Sequence, residues 1–104
     1  MQKKIVLGVI LVFLSSTINA LVSFDGKVTV VEPSYLPGTV AFIMSTGIAM
    51  CPAGSWLWWK NADPENNKAV YATLMTALAA DKNVRFHIND GDTTCTGIHL
   101  HLIK

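Results

Sequence analysis

Hydrophobic and polar residues alternate along several short stretches of the chain, which is the pattern of half-buried β-strands. The alternation is cleanest at residues 84–88 and 98–102. β-Branched and aromatic residues predict three earlier strands, at residues 24–31, 39–44 and 55–60. Proline- and glycine-containing turns separate these three stretches. The first level of organisation is therefore a set of five short strands.

Between the third and fourth strands, the hydrophobic residues recur with the period of an α-helix. Asp63 and Pro64 predict its start, because aspartate caps a helix N-terminus and proline fits the first turn. Asn67 is a second candidate cap. The residues predicted to form its buried face are Val70, Tyr71, Leu74, Met75 and Leu78. The fold class is thus mainly β with one helix. The order β-β-β-α-β-β is that of a five-stranded Greek-key barrel of the OB type.

The first twenty residues have the three-part layout of a secretory signal peptide. A basic start at residues 1–4 precedes an apolar run at residues 5–14, and small polar residues lead to Ala20. The apolar run is too short to span a bilayer, which takes about 20 residues. We therefore expect residues 1–20 to be removed and residues 21–104 to form a single secreted or periplasmic domain, without membrane insertion.

Charge and motif content exclude several classes of function. Removal of the signal peptide takes Lys3 and Lys4 with it, which leaves six basic and seven acidic residues. This balance argues against nucleic acid, whose phosphates require several Lys or Arg, and against a polybasic membrane patch. No nucleophile is spaced with a base, and no glycine-rich phosphate loop is present. We expect a non-catalytic protein that uses no cofactor.

The two cysteines, Cys51 and Cys95, are expected to form a disulfide. An even pair of cysteines in an exported protein is usually oxidised. In the OB topology the third and fifth strands are adjacent and parallel, and each cysteine shortly precedes one of them. Both cysteines would then lie at the same end, within bonding reach. The bond would contribute roughly 4 kcal/mol by closing its loop. The alternative is two buried free thiols.

The third strand is rich in tryptophan on both of its faces. Trp56 and Trp58 share one face, whereas Leu57 and Trp59 share the other. One face must fill the barrel, and the other needs cover from the helix, a partner chain or a ligand. Tyr35 follows the first strand, on a rim that OB folds use for binding. Tyr35, Trp56 and Trp58 are therefore candidate ligand-binding residues. The alternative for the tryptophans is core packing and a subunit contact, and the alternative for Tyr35 is a loop aromatic residue that caps the barrel.

Three histidines, His87, His99 and His101, are predicted to face outward from the last two strands. A hairpin of these strands can place His87 beside His99. Zinc can use such a cluster, and protonation near pH 6 could weaken an interface there. No carboxylate is clearly placed to support a metal site, so we favour solvent-facing histidines and assign no metal. The polar loop at residues 89–94 lacks the EF-hand pattern for calcium and is interpreted as a connection.

A second face of the helix consists of small residues that would allow another helix to approach closely. We consider it a candidate assembly face, against the alternative that alanine is simply a good exposed helix former. Its members are Ala69, Ala72, Thr73, Thr76 and Ala80.

The sequences NKAVYATLMTA at residues 67–77 and KNVRF at residues 82–86 resemble small secreted bacterial proteins of unassigned role. The segment CPAGSWL at residues 51–57 and Cys95 fit the same pattern. More distantly, the arrangement is similar to the receptor-binding B subunits of pentameric bacterial toxins of the cholera and subtilase type. The resemblance implies an OB fold, an exported protein that binds a glycan or protein receptor, and a homo-oligomer such as a pentamer. The alternative function is a periplasmic accessory domain that contacts proteins only.

Overall fold

The computed structural model describes residues 20–104, so the predicted signal peptide lies outside the described residues except for Ala20. The described part is mainly β with one helix, as predicted. No helix in it is both long and apolar enough to cross a membrane. The elements are β1 (Leu21–Glu32), β2 (Val40–Met44), β3 (Trp56–Trp59), α1 (Pro64–Ala80), β4 (Asn83–Asn89) and β5 (Gly97–Ile103).

The five strands form one antiparallel sheet in the order β3-β2-β1-β4-β5. The long strand β1 pairs with β4 along its first half and with β2 along its second half. A register shift between Val28 and Val30 separates the β1–β2 pairs, and such irregularities bend a strand. The edge strands β3 and β5 approach at one point, where Trp58 and Thr96 form a parallel bridge. There the Trp58 N–H donates to the Cys95 carbonyl at 2.9 Å.

The hydrophobic core lies between the inward faces of the strands and α1. Phe86 is central, with its ring edge-on to Phe42 at 5.0 Å and to Phe24 at 5.8 Å between ring centroids. β5 passes close to these rings at Gly97, where an added Cβ would contact Phe86 and lie 2.7 Å from the Trp59 ring. Inward side chains alternate with outward ones along β4, as its sequence predicts.

Helix α1 begins where the sequence predicts. The Asp63 carboxylate accepts a hydrogen bond from the Glu65 N–H at 3.0 Å, and Pro64 occupies the first helical position. The helix ends at Ala80, followed by Asp81 in the left-handed conformation, with φ of 55°. Asn67, the second candidate cap, lies inside the helix and is fully buried. The start at Asp63 is therefore confirmed.

The predicted buried face of α1 is partly wrong. Met75 and Leu78 are each 38% exposed, whereas the fully buried positions are Asn67, Leu74 and Ala77. These three residues form a narrow strip along the helix. The segment contains more apolar residues than this strip can hold, so part of its apolar surface stays in contact with solvent.

The predicted disulfide between Cys51 and Cys95 is confirmed, with 5.9 Å between the Cα atoms. Both cysteines are buried. The bond joins the segment before β3 to the segment before β5, and it lies next to the bridge between Trp58 and Thr96. It therefore cross-links the chain beside the bridge between the two edge strands.

Candidate functional site

The alternation of side chains along β3 separates its three tryptophans. Leu57 and Trp59 point into the core, and the Trp59 Nε1–H donates to the Asn66 Oδ1 at 2.8 Å. Trp56 is exposed and Trp58 is partly buried on the opposite face. The core therefore uses only one aromatic face of β3, and the other faces outward.

The loop between β1 and β2 places Tyr35 beside Trp58. Their ring centroids are 6.2 Å apart, with planes inclined at 44°, and Tyr35 is 56% exposed. The Tyr35 carbonyl accepts hydrogen bonds from the N–H groups of Gly38 and Thr39, at 3.0 and 3.2 Å. These bonds close the loop into a tight turn. The three predicted ligand-binding residues thus lie on one surface, since Trp56 is on the same face of β3.

A groove of about 420 Å³ opens beside the Tyr35–Trp58 pair. This volume lies within the range of about 300 to 1,000 Å³ that is usual for small-ligand sites. We call it the aromatic groove; it is lined by Tyr35, Thr39, Trp58, Lys60, Thr94 and Thr96. A smaller recess of about 140 Å³ is lined by Glu32, Tyr35, Ala41, Trp56 and Trp58. Tyr35 and Trp58 line both spaces, so the two rings form a shared wall.

Asp92 accepts hydrogen bonds from the two threonines that line one side of the aromatic groove. Its Oδ1 accepts from the Thr94 N–H and hydroxyl at 2.7 and 2.6 Å, and its Oδ2 accepts from the Thr96 N–H at 3.3 Å. The hydroxyls of Thr94 and Thr96 are themselves 2.9 Å apart. The hydrogen bond from the Thr94 hydroxyl is the largest influence that lowers the pKa of Asp92. The carboxylate therefore stays ionised and holds Thr94 and Thr96 in place along the aromatic groove. The sequence indicated this segment only as a connecting loop.

Asn67 supports the loop that carries Tyr35. Its Nδ2 donates to the carbonyls of Pro37, Gly38 and Asn61 at 2.8, 3.2 and 2.9 Å. Its Oδ1 accepts from the Asn61 N–H at 2.9 Å. Sequence reasoning considered Asn67 only as a helix cap and missed this role. The available signal was its position seven residues before Leu74, on the buried strip of the helix.

His99 and His101 are exposed, as predicted, whereas His87 is only partly exposed. His87 pairs with His99 across the β4–β5 hairpin, with 5.9 Å between ring centroids, and lies 4.7 Å from His101. Beside them Arg85 forms a two-point ion pair with Asp25, at 2.7 and 2.9 Å. The pKa of His87 is lowered, first by burial and then by the charges of His101 and His99. The His87 Nε2 is buried and has no hydrogen-bond partner among the described residues.

Within residues 20–104, no group of three or more His, Cys, Asp or Glu side chains is arranged to hold a metal ion. No metal is therefore assigned to the histidine cluster, which lies beside the ion pair of Arg85 and Asp25.

The small-residue face of α1 is mostly exposed. The hydroxyls of Thr73 and Thr76 donate back to the carbonyls of Ala69 and Ala72, at 3.0 and 2.9 Å. Ala80 is exposed at the end of the same face. Its use as an assembly surface stays a prediction.

Comparison of the chain with known protein families, with curated proteins and with solved structures finds no match. The similarity to toxin B subunits therefore stays an expectation from sequence, and the function is inferred from the geometry of the aromatic groove.

Proposed function

We propose that the protein is an exported, non-catalytic carbohydrate-binding protein that holds a glycan in the aromatic groove. The observation that carries the proposal is the Tyr35–Trp58 pair beside a wall of threonine hydroxyls. A sugar ring has a flat C–H face that packs on an aromatic ring, and an indole N–H adds a hydrogen-bond donor at the edge. The sugar hydroxyls would meet Thr39, Thr96 and the ammonium group of Lys60.

We also propose that the strands form an OB-type barrel. The pairing of β1 with both β2 and β4 supports this topology, as does the parallel bridge between β3 and β5. In OB folds the surface of strands 2 and 3 and the loops 1–2 and 4–5 bind oligosaccharides or oligonucleotides. The aromatic groove lies on these same elements, which supports its use as the binding site.

The charge around the groove favours a glycan over a nucleic acid. Lys60 is the cation among the residues that line the groove, and Glu32 lines the adjoining recess. Binding a nucleic acid strand requires several Lys or Arg against its phosphates. The disulfide supports export, because such bonds persist in oxidising compartments. The proposed ligand is therefore a neutral or weakly charged glycan outside the cytoplasm.

Replacing Trp58 with alanine is expected to weaken glycan binding by about thirtyfold or more, because truncation of a central aromatic anchor costs about 2 kcal/mol or more. The fold should persist, because the bridge to Thr96 and the bond to the Cys95 carbonyl use the Trp58 backbone. The measurement is a glycan array with the purified, disulfide-bonded protein. Isothermal titration calorimetry then measures the affinity of a retained glycan for the unchanged protein and for Trp58→Ala.

Met75→Ala is the matched control, because it removes a partly exposed apolar side chain from α1, outside the groove. Its affinity should equal that of the unchanged protein. Two results would contradict the proposal: no glycan retained on the array, or equal affinity for the unchanged protein and Trp58→Ala. Absence of glycan binding together with a stable complex with another protein would instead favour the accessory-domain alternative.

A further inference from the structure

Strand β5 has one edge without a strand partner. Its other edge pairs with β4, and beyond the bridge at Thr96 no backbone hydrogen bond joins Gly97–Ile103 to another described segment. The exposed N–H and C=O groups of such an edge are a template for a further strand. Proteins usually block these edges with lysine, proline or a β-bulge. GIHLHLI contains neither lysine nor proline, and Lys104 follows the strand. A register shift against β4 leaves Ile98 as an extra residue, so the regular part of the free edge, which can pair, runs from His99 to Ile103.

The apolar side chains of β5 are also incompletely covered. Ile98 is 39% exposed and Leu102 is 44% exposed, although Leu102 pairs in register with the fully buried Val84. Leu100 is partly buried against the core. A strand that added to this edge would bury apolar surface as well as pair backbone groups.

The sequence of β5 is complementary to itself. Ile98-His99-Leu100-His101-Leu102 has the same alternation of apolar and imidazole side chains in both directions. Antiparallel pairing of two copies about a two-fold axis at Leu100 places Ile98 opposite Leu102 and His99 opposite His101. Because side chains alternate between the faces of a strand, the leucines at 100 and 102 lie on one face and the imidazoles at 99 and 101 on the other. Ile98, at the register shift against β4, is the one apolar position of the interface that is not in a regular ladder.

We propose that two copies of this chain associate through their β5 edges into a two-fold antiparallel dimer that acid dissociates. The interface is isologous, since each copy contributes the same strand. It uses neither the aromatic groove nor the small-residue face of α1.

The acid response follows from the charges that surround His99 and His101. Arg85 and His87 face them from β4, and Asp25 faces Arg85 from β1. Asp25 is already held by both Arg85 contacts, at 2.7 and 2.9 Å, so it does little to offset new positive charge. Imidazole gains its charge as the pH falls from about 8 to about 5, and like charges directly opposite each other destabilise a strand pair. The dimer brings two such pairs together.

The test is analytical ultracentrifugation of the purified, disulfide-bonded protein over a concentration series at about pH 7.5 and about pH 5.5. We expect a dimer at the higher pH and a dissociation constant at least about tenfold larger at the lower pH. Leu102→Lys places an ammonium group at each end of the interface, so this variant should be monomeric at both pH values. Leu78→Lys, at a side chain on α1 that is 38% exposed, is the matched control and should stay dimeric.

A double variant, His99→Asn with His101→Asn, leaves the apolar row of β5 intact and tests the acid response separately. It should remain dimeric at the lower pH. The proposal is overturned if the unchanged protein is monomeric at every concentration, or if its assembly is a ring of five copies. It is also overturned if Leu102→Lys, shown by circular dichroism to be folded, assembles as the unchanged protein does. Dissociation of the double variant by acid would overturn the role of the histidines.

Discussion

Replacing Asn67 with aspartate is expected to lower the free energy of unfolding by about 3 to 5 kcal/mol. Asn67 is fully buried, and its Nδ2 donates to the carbonyls of Pro37, Gly38 and Asn61. Aspartate has nearly the same shape but no donor when ionised, so three carbonyls would lose their partner and face a buried carboxylate. The loop that carries Tyr35 should then detach from α1.

Equilibrium unfolding in urea measures this change. Asn66→Asp is the matched control at the adjacent residue, because Asn66 uses only its Oδ1, as an acceptor for the Trp59 indole, and aspartate keeps that acceptor. Its free energy of unfolding should change by less than about 1 kcal/mol. Equal stability of Asn67→Asp and Asn66→Asp would show that the bonds of Asn67 do not hold the loop.

Removing the disulfide is the second large effect. The double variant Cys51→Ala with Cys95→Ala is expected to lose about 4 kcal/mol of stability, from the entropy of the loop that the bond closes. The two cysteines are 44 residues apart, and both are buried. Native proteins are usually stable by only about 5 to 15 kcal/mol, so the variant should lose a large share of the stability of the domain.

Thermal unfolding with and without a reductant checks the disulfide prediction. The unchanged protein should melt at a lower temperature when reduced, whereas the double variant should melt at one temperature in both conditions. Reduced and oxidised protein with the same melting temperature would mean that the bond does not stabilise the domain. Because Thr94 and Thr96 flank Cys95, the reduced protein should also bind glycan more weakly.

The sequence predicted the strands best where one face is buried and the other is not. Residues 84–88 alternate strictly, and the structure buries every second side chain of β4. The helix start at Asp63 was also predictable, because capping depends on neighbouring residues only. The disulfide followed from the predicted export and from the order of the elements along the chain.

The buried face of α1 and the role of Asn67 depend on contacts that no local pattern contains. Met75 and Leu78 fit a helical stripe as well as Leu74 does, but the sheet covers only one strip of the helix. Asn67 bonds to Pro37, 30 residues earlier in the chain. Hydrophobic periodicity identifies a helix but does not show which of two adjacent stripes meets the sheet, or which polar side chain enters the core.

The candidate site was predictable in its aromatic residues but not in its polar ones. Trp56 and Trp58 follow from strand alternation, and Tyr35 from its place in the loop after the first strand. Thr39 and Thr94 carry no pattern of their own, and they join the groove only because two loops distant in sequence meet beside β3. Such a meeting is a property of the folded chain.

The most direct test of glycan binding in the aromatic groove is a titration followed by ¹⁵N nuclear magnetic resonance. Each of the three tryptophans contributes one indole N–H signal. Trp59 donates its indole hydrogen to Asn66 beside the core, so its signal is an internal control. With a glycan retained on the array, the Trp58 signal should shift progressively while the Trp59 signal stays in place. An unchanged Trp58 signal, or shifts confined to the histidine face of β4 and β5, would contradict binding in the aromatic groove.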